Sequence, residues 1–124
     1  SGTYNLMTSF SFSYSQNTKT LPDEFFIECD LSPLDLHLIH INQITLLVSM
    51  KIPDIDTFEI YKNTDDEIIF KKYGTSGGVR VFFPPEFRFN KWSGVLTKEH
   101  SPGGIKYRSS QCKILDKFRK PLYG

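Results

Sequence analysis

The amino-acid sequence predicts an all-β fold, a single sandwich or barrel of about eight short strands. Three observations carry this expectation. Alanine, the strongest helix former, does not occur among the 124 residues. Aromatic residues make up 15% of the chain, with 11 Phe and 6 Tyr, and aromatic and β-branched side chains suit a pleated, half-buried surface. Apolar and polar residues alternate with period two over short runs that end in turn-forming residues.

The alternation is cleanest in residues 5–15. Leu6, Thr8, Phe10, Phe12 and Tyr14 share one face, and Asn5, Ser9, Ser11, Ser13 and Ser15 the other. A polar loop over 16–20 follows and is closed by Leu21-Pro22. Residues 24–30 set Phe25, Ile27 and Cys29 against Phe26, Glu28 and Asp30, and Ser32-Pro33 ends the run. In residues 36–52, Leu36, Leu38, Ile44, Leu46, Val48 and Met50 share one parity, with Ile39, Ile41 and Leu47 on the other. This stretch reads as one long strand, or two bent near Asn42-Gln43, central and largely buried on both faces. A buried helix competes with it, but the β-branched content favours strand.

Pro53-Asp54-Ile55-Asp56 forms a turn. Residues 58–62 and 67–73 form a hairpin around Asn63-Thr64-Asp65-Asp66. Residues 74–78 read as a flexible glycine-rich loop. A strand over 79–83 is ended by Pro84-Pro85, and residues 87–89 and 94–98 are short extended pieces. Ser101-Pro102-Gly103-Gly104 is a turn. A last strand covers 105–115, or passes into one helical turn near 115–119. There is no repeat and no internal boundary, so residues 1–124 read as one domain with a basic C-terminal segment, 105–124.

The two cysteines, Cys29 and Cys112, make no disulfide framework and no cysteine-rich metal site. We expect two free thiols packed as small apolar groups. The alternative is one bridge joining an early strand to a late one. In either case the fold is expected not to depend on them. No apolar run approaches the roughly 18–20 residues that span a bilayer, and no signal peptide is expected. The expected location is intracellular, peripheral at a membrane or within a virion.

A formal net charge of +1 hides an asymmetry. Residues 1–67 hold three lysines against eleven carboxylates, a net −8, whereas residues 68–124 hold twelve cations against three carboxylates, a net +9. Such a split points to an anionic partner, or to the basic face of one copy docking on the acidic face of the next. Alternatively, the halves interleave in the sheet and the charges neutralise locally. Aromatic residues sit among the cations, as single-stranded nucleic acid or a membrane interface requires. The candidate binding residues are Arg88, Lys91, Trp92, Lys106, Tyr107, Arg108, Lys113, Lys117, Arg119 and Lys120. Lys117-Phe118-Arg119-Lys120 is the best single candidate for phosphate contact. Phe82, Phe83, Phe87 and Phe89 are expected in the core.

Chemistry-bearing patterns are not expected to form a catalytic or metal centre. His37 and His40 are three apart, so on a strand they face opposite sides and cannot share a metal. His100 stands apart from them. Asp54, Asp56, Asp65 and Asp66 fall in turns, where their backbone preference accounts for them. Asp54-Ile55-Asp56 lacks the remaining ligand spacing of a calcium loop. Gly74-Thr75-Ser76-Gly77-Gly78 lacks the Gly-Lys-Ser/Thr end of a phosphate loop, and no serine sits in a nucleophile elbow. No enzyme activity and no cofactor are expected.

Residues 21–73, through Leu21-Pro22-Asp23-Glu24-Phe25-Phe26-Ile27, the apolar run to Met50, and Ile60-Tyr61-Lys62-Asn63 leading into Ile68-Ile69-Phe70, resemble small matrix proteins of negative-strand RNA viruses, the bornavirus type in particular. The resemblance implies a compact β domain that oligomerises and contacts membrane and RNA. The expected function is therefore a non-enzymatic, matrix-like assembly protein that self-associates and binds anionic lipid or RNA through its basic half. One alternative is an OB-type barrel binding single-stranded nucleic acid, with Phe87, Phe89, Trp92 and Tyr107 stacking bases. Another is a protein–protein interaction domain of a larger complex.

Overall fold

The structure, a computed structural model, describes residues 21–32, 35–99 and 107–122. The strand expected over 5–15, the loop over 16–20, the turn over 101–104, and His100 and Lys106 lie outside the described residues.

Among the described residues, nine antiparallel strands form one sheet. They are β1 (Glu24–Ser32), β2 (Asp35–Asn42), β3 (Leu47–Ile52), β4 (Asp56–Asn63), β5 (Glu67–Ser76), β6 (Val79–Asn90), β7 (Val95–Glu99), β8 (Tyr107–Gln111) and β9 (Lys113–Leu115). Strands β1 to β8 meander, each beside its neighbour in sequence, and β9 returns to pair with β1. The chain bends at Cys112 and so passes from β7 to β1, which nearly closes the sheet into a barrel. This is the order of an up-and-down barrel, not the Greek key of an OB fold.

The period-two pattern sorts the side chains. Phe25, Ile27, Cys29 and Leu31 of β1 point inward, joined by Ile39, Ile41, Val48, Met50, Phe58, Ile60, Ile68, Phe70, Phe87, Phe89, Leu96, Cys112 and Ile114. Phe70 and Phe87 stack with centroids 4.9 Å apart, and Phe58 meets Phe87 edge-on at 5.3 Å. Such pairs contribute about 0.5–1.5 kcal/mol beyond their area. Phe87 and Phe89 therefore fill the core as expected and cannot stack bases. Phe82 and Phe83 do not, since Phe82 is half-buried on the outer face and Phe83 is 40% exposed.

Residues 36–52 form two strands joined by a turn over 43–46, not one continuous strand. The Asn42 side chain accepts hydrogen bonds from the Ile44 and Thr45 amides, and Leu46 takes φ 62°. With four residues between paired Asn42 and Leu47, inward positions are odd on β2 and even on β3. Ile44 and Leu46 lie in the turn and are exposed, as are outward Leu36 and Leu47. Pro84-Pro85 does not end a strand either. The β5–β6 register slips there, between Lys71 and Lys72, and β6 continues through it. The expected loop over 74–78 is mostly strand. Only Gly77 and Gly78 turn, with φ of 60° and 80°, as a two-residue hairpin requires. Residues 72–83 thus project as an arm beyond the pairing of β4 and β7.

The expectation of free thiols is also overturned. Cys29 and Cys112 are bridged across 83 residues. The barrel's closure brings them together, because Lys113 registers with Glu28 and the Asp30 amide donates to Ser110 Oγ at 3.0 Å. The bridge thus ties β1 to the β8–β9 bend.

Candidate anion-binding surface

The ten sequence-predicted residues separate by their surroundings. Arg88 points outward from β6 and is neutralised at home. Its Nε lies 2.9 Å from Glu86 and its Nη1 3.4 Å from Glu67. Two other pairs join the acidic and basic halves, Lys72 with Asp56 at 2.7 Å and Arg80 with Glu59. Three bridges therefore cancel part of the charge split inside the fold. Burial opposes the charge on the Asp56 and Glu86 carboxyls, but the cations and hydrogen bonds around them win and hold both below their ordinary range.

Lys91 and Trp92 help to close one end of the barrel. The Lys91 side chain is 9% exposed, and Nζ donates to Asn63 Oδ1 at 2.7 Å. Asn63 Nδ2 donates to Gln43 Oε1 at 3.0 Å, and Gln43 Nε2 to the Pro22 carbonyl at 2.9 Å. This chain of polar groups crosses the end formed by the turns over 43–46, 64–66 and 91–94. Burial pulls the Lys91 ammonium below its usual pKa, and nearby Asp65 partly offsets that. Trp92 donates from Nε1 to Asp66 Oδ1 at 3.0 Å. Both side chains are employed in the architecture.

The C-terminal cations are placed differently. Asp116 Oδ1 accepts from the Phe118 and Lys120 amides at 2.8 and 2.9 Å. The Asp116 and Lys120 backbones also bond at 2.7 Å, and the Arg119 amide donates to the Asp116 carbonyl at 2.8 Å. Arg119 takes φ 66°. A turn results where a helical one was the alternative expectation, with its backbone groups consumed internally. Its side chains point outward, with the Arg119 guanidinium 5.9 Å from the Phe26 ring centroid and Lys117 Nζ 5.3 Å from that of Phe118. Lys117, Phe118, Arg119 and Lys120 are all exposed, Phe118 by 72%. Exposed Lys113 precedes them on β9. Among the described residues, none of these four cations makes an ion pair within 4 Å. Lys117 and Phe118 also line an open pocket of about 350 Å³ with Pro22, Asp23, Glu24, Asp116 and Leu122. The turn gathers these cations around one exposed ring on a hydrogen-bonded backbone.

Tyr107 opens β8, and exposed Arg108 lies at the opposite end of the barrel from this turn. Sequence reasoning missed an outer cluster in which Tyr61, Tyr73 and Phe82 meet. Lys71 lies over Tyr61 at 4.3 Å and Arg80 over Tyr73 at 3.5 Å. Both cations already hold carboxylates, Glu86 and Glu59. His37 and His40 do face opposite sides of β2. His37 carries the parity of inward Ile39, while His40 bonds Glu24 at 2.6 Å and packs on Phe26. Among the described residues no three His, Cys, Asp or Glu side chains cluster as a metal site would require. No described helix is long and apolar enough to cross a membrane. Comparison with protein-family models, curated proteins and solved structures finds no match.

Proposed function

We propose that this chain is a non-enzymatic binding and assembly protein that engages a phosphate-bearing partner, RNA or an anionic membrane, through the cations of its C-terminal turn. The observation that carries this reading is the contrast between cations. Lys72, Arg80 and Arg88 are neutralised within the fold, and Lys91 is buried. Lys113, Lys117, Arg119 and Lys120 stand exposed on a pinned backbone beside Phe118. A pinned backbone removes part of the ordering cost of meeting phosphates, and an exposed ring among the cations can stack on a base or enter a lipid interface.

The resemblance of residues 21–73 to viral matrix proteins agrees with this role. Self-association through opposite charges is the less supported part of the proposal, because three pairs of the split already meet inside the chain. The Cys29–Cys112 bridge favours an oxidising setting over the reducing cytosol. The location proposed is therefore a lumenal, extracellular or virion one, peripheral to a membrane.

The test is equilibrium binding to a single-stranded oligoribonucleotide and, separately, to vesicles containing phosphatidylserine, over a range of salt. Each phosphate contact contributes about 0.7 to the slope of log K against log salt for a single strand. Replacing Lys117, Arg119 and Lys120 by Ala is expected to flatten that slope by about 2. The arm that binds identifies the source of the phosphates. A wild type that binds neither, or a triple variant with an unchanged slope, overturns the proposal.

A further inference from the structure

We propose that the barrel's other end carries a separate site, in which Lys98 and Arg108 grip the oxyanion head of an amphiphile. Strand alternation directs Lys98 inward, since buried Leu96 precedes it on the same face and buried Phe87 registers opposite it. Lys98 Nζ lies 5.6 Å from the Phe87 ring centroid. Arg108 registers directly with Lys98 across β7 and β8, so both side chains share that face. Arg108 Nη1 donates to the Leu31 carbonyl at 3.4 Å, which anchors one side of the guanidinium.

Two like charges directly opposite on one face of a sheet destabilise it. Elsewhere on this rim the fold supplies a counter-charge, as where inward Lys72 contacts both oxygens of Asp56 at 2.7 Å. Among the side chains the structure describes, no carboxylate lies within 4 Å of Lys98 or Arg108. A carboxylate or phosphate between them would remove the repulsion and accept from both. Arg offers a planar fork and Lys a mobile point charge, which together suit either head group.

The apolar body has a surface to meet. The arm over 72–83 continues the inward face beyond the rim, where Phe83 registers with Lys72, Val81 with Gly74 and Val79 with Ser76. Phe83 lies over Gly74 so closely that a Cβ there would fall 2.3 Å from the ring. The ring is thus laid flat along the arm, yet it stays 40% exposed, and Val79 61%. Barrel mouths favour ligands of this kind, mostly apolar with a few placed polar groups.

Isothermal titration of the full chain with decanoate, decyl phosphate and inorganic phosphate, below micellar concentrations, tests the site. One-site binding of the two amphiphiles is expected, at least tenfold weaker in the Lys98→Met/Arg108→Met variant. The same variant is expected to keep wild-type binding to RNA or vesicles. Equal amphiphile binding by variant and wild type, or none by the wild type, overturns the site. Inorganic phosphate binding as tightly as decyl phosphate overturns the role of the arm.

Discussion

Breaking the Cys29–Cys112 bridge should cost a large part of the stability of this barrel. The bridge spans 83 residues, from the first described strand to the bend before the last. In the chain-entropy treatment, a closed loop of that length restricts the unfolded ensemble by about 4.5 kcal/mol at 25 °C. Native bridges removed from small domains cost about 2–5 kcal/mol. A domain of this size has about 5–15 kcal/mol in all, so the loss approaches a third or more. The same seam is also held by the three-residue β1–β9 ladder, where Lys113, Ile114 and Leu115 register with Glu28, Ile27 and Phe26, and by contacts from the Asp30 amide to Ser110 Oγ and from Arg108 to the Leu31 carbonyl. They are too few to replace the covalent tie. The assay is urea unfolding of the oxidised protein, of the protein kept reduced, and of the Cys29→Ala/Cys112→Ala variant, with oxidation state checked by intact mass. The expected loss is about 3–5 kcal/mol, slightly larger in the variant because both sulfurs are buried in the core. A loss below about 1 kcal/mol would refute the reasoning and show that the seam is held by packing alone.

Other residues offer independent checks. Phe87→Ala should cost about 3–5 kcal/mol in denaturant unfolding, because it empties a position stacked on Phe70 and met edge-on by Phe58. Asn63→Ala removes the acceptor of buried Lys91 Nζ and should cost about 1.5–3 kcal/mol. The lowered pKa of Lys91 makes the unfolded chain bind more protons between the folded value and 10.5. The stability of wild type relative to Lys91→Met should therefore rise with pH through that window, as read by unfolding at each pH. Asp56 has the opposite dependence. Its carboxyl is held below 3.8 by Lys72 and the Thr57 amide against the effect of burial. Its contribution is present above that pH and lost as pH falls through the folded value. The stability gap between wild type and Asp56→Asn should close on acidification.

The parts of this fold that were legible in sequence are those where one strand's own alternation decides the outcome. Phe25, Ile27 and Cys29 face inward as their spacing requires, and the hairpin around residues 63–66 falls where its Asn and Asp residues place it. Features set by partners far along the chain were not legible. The turn over 43–46 swaps parity because the pairing of Asn42 with Leu47 leaves four residues between the strands, a register the alternation of either strand alone does not set. Pro84-Pro85 reads as a stop, yet an irregular register accommodates both within β6. Arg88 resembles a phosphate contact until β5 brings Glu67 beside it, 21 residues away in sequence. The pairing of Cys29 with Cys112 depends on barrel closure. The 117–120 cluster was legible because a short turn exposes consecutive residues together, whereas Lys98 gained interest only through its register with Arg108.

By the proposal above, the exposed cations of the C-terminal turn, and not those paired inside the fold, meet the phosphate-bearing partner. Backbone chemical-shift mapping during titration with a single-stranded oligoribonucleotide, repeated with a soluble phosphatidylserine, tests it most directly. At least one titration is expected to shift residues 113–120 and the facing residues of β1, with residues 88–92 unmoved. Shifts centred on Arg88, Lys91 and Trp92, or no shifts with either titrant, would contradict it.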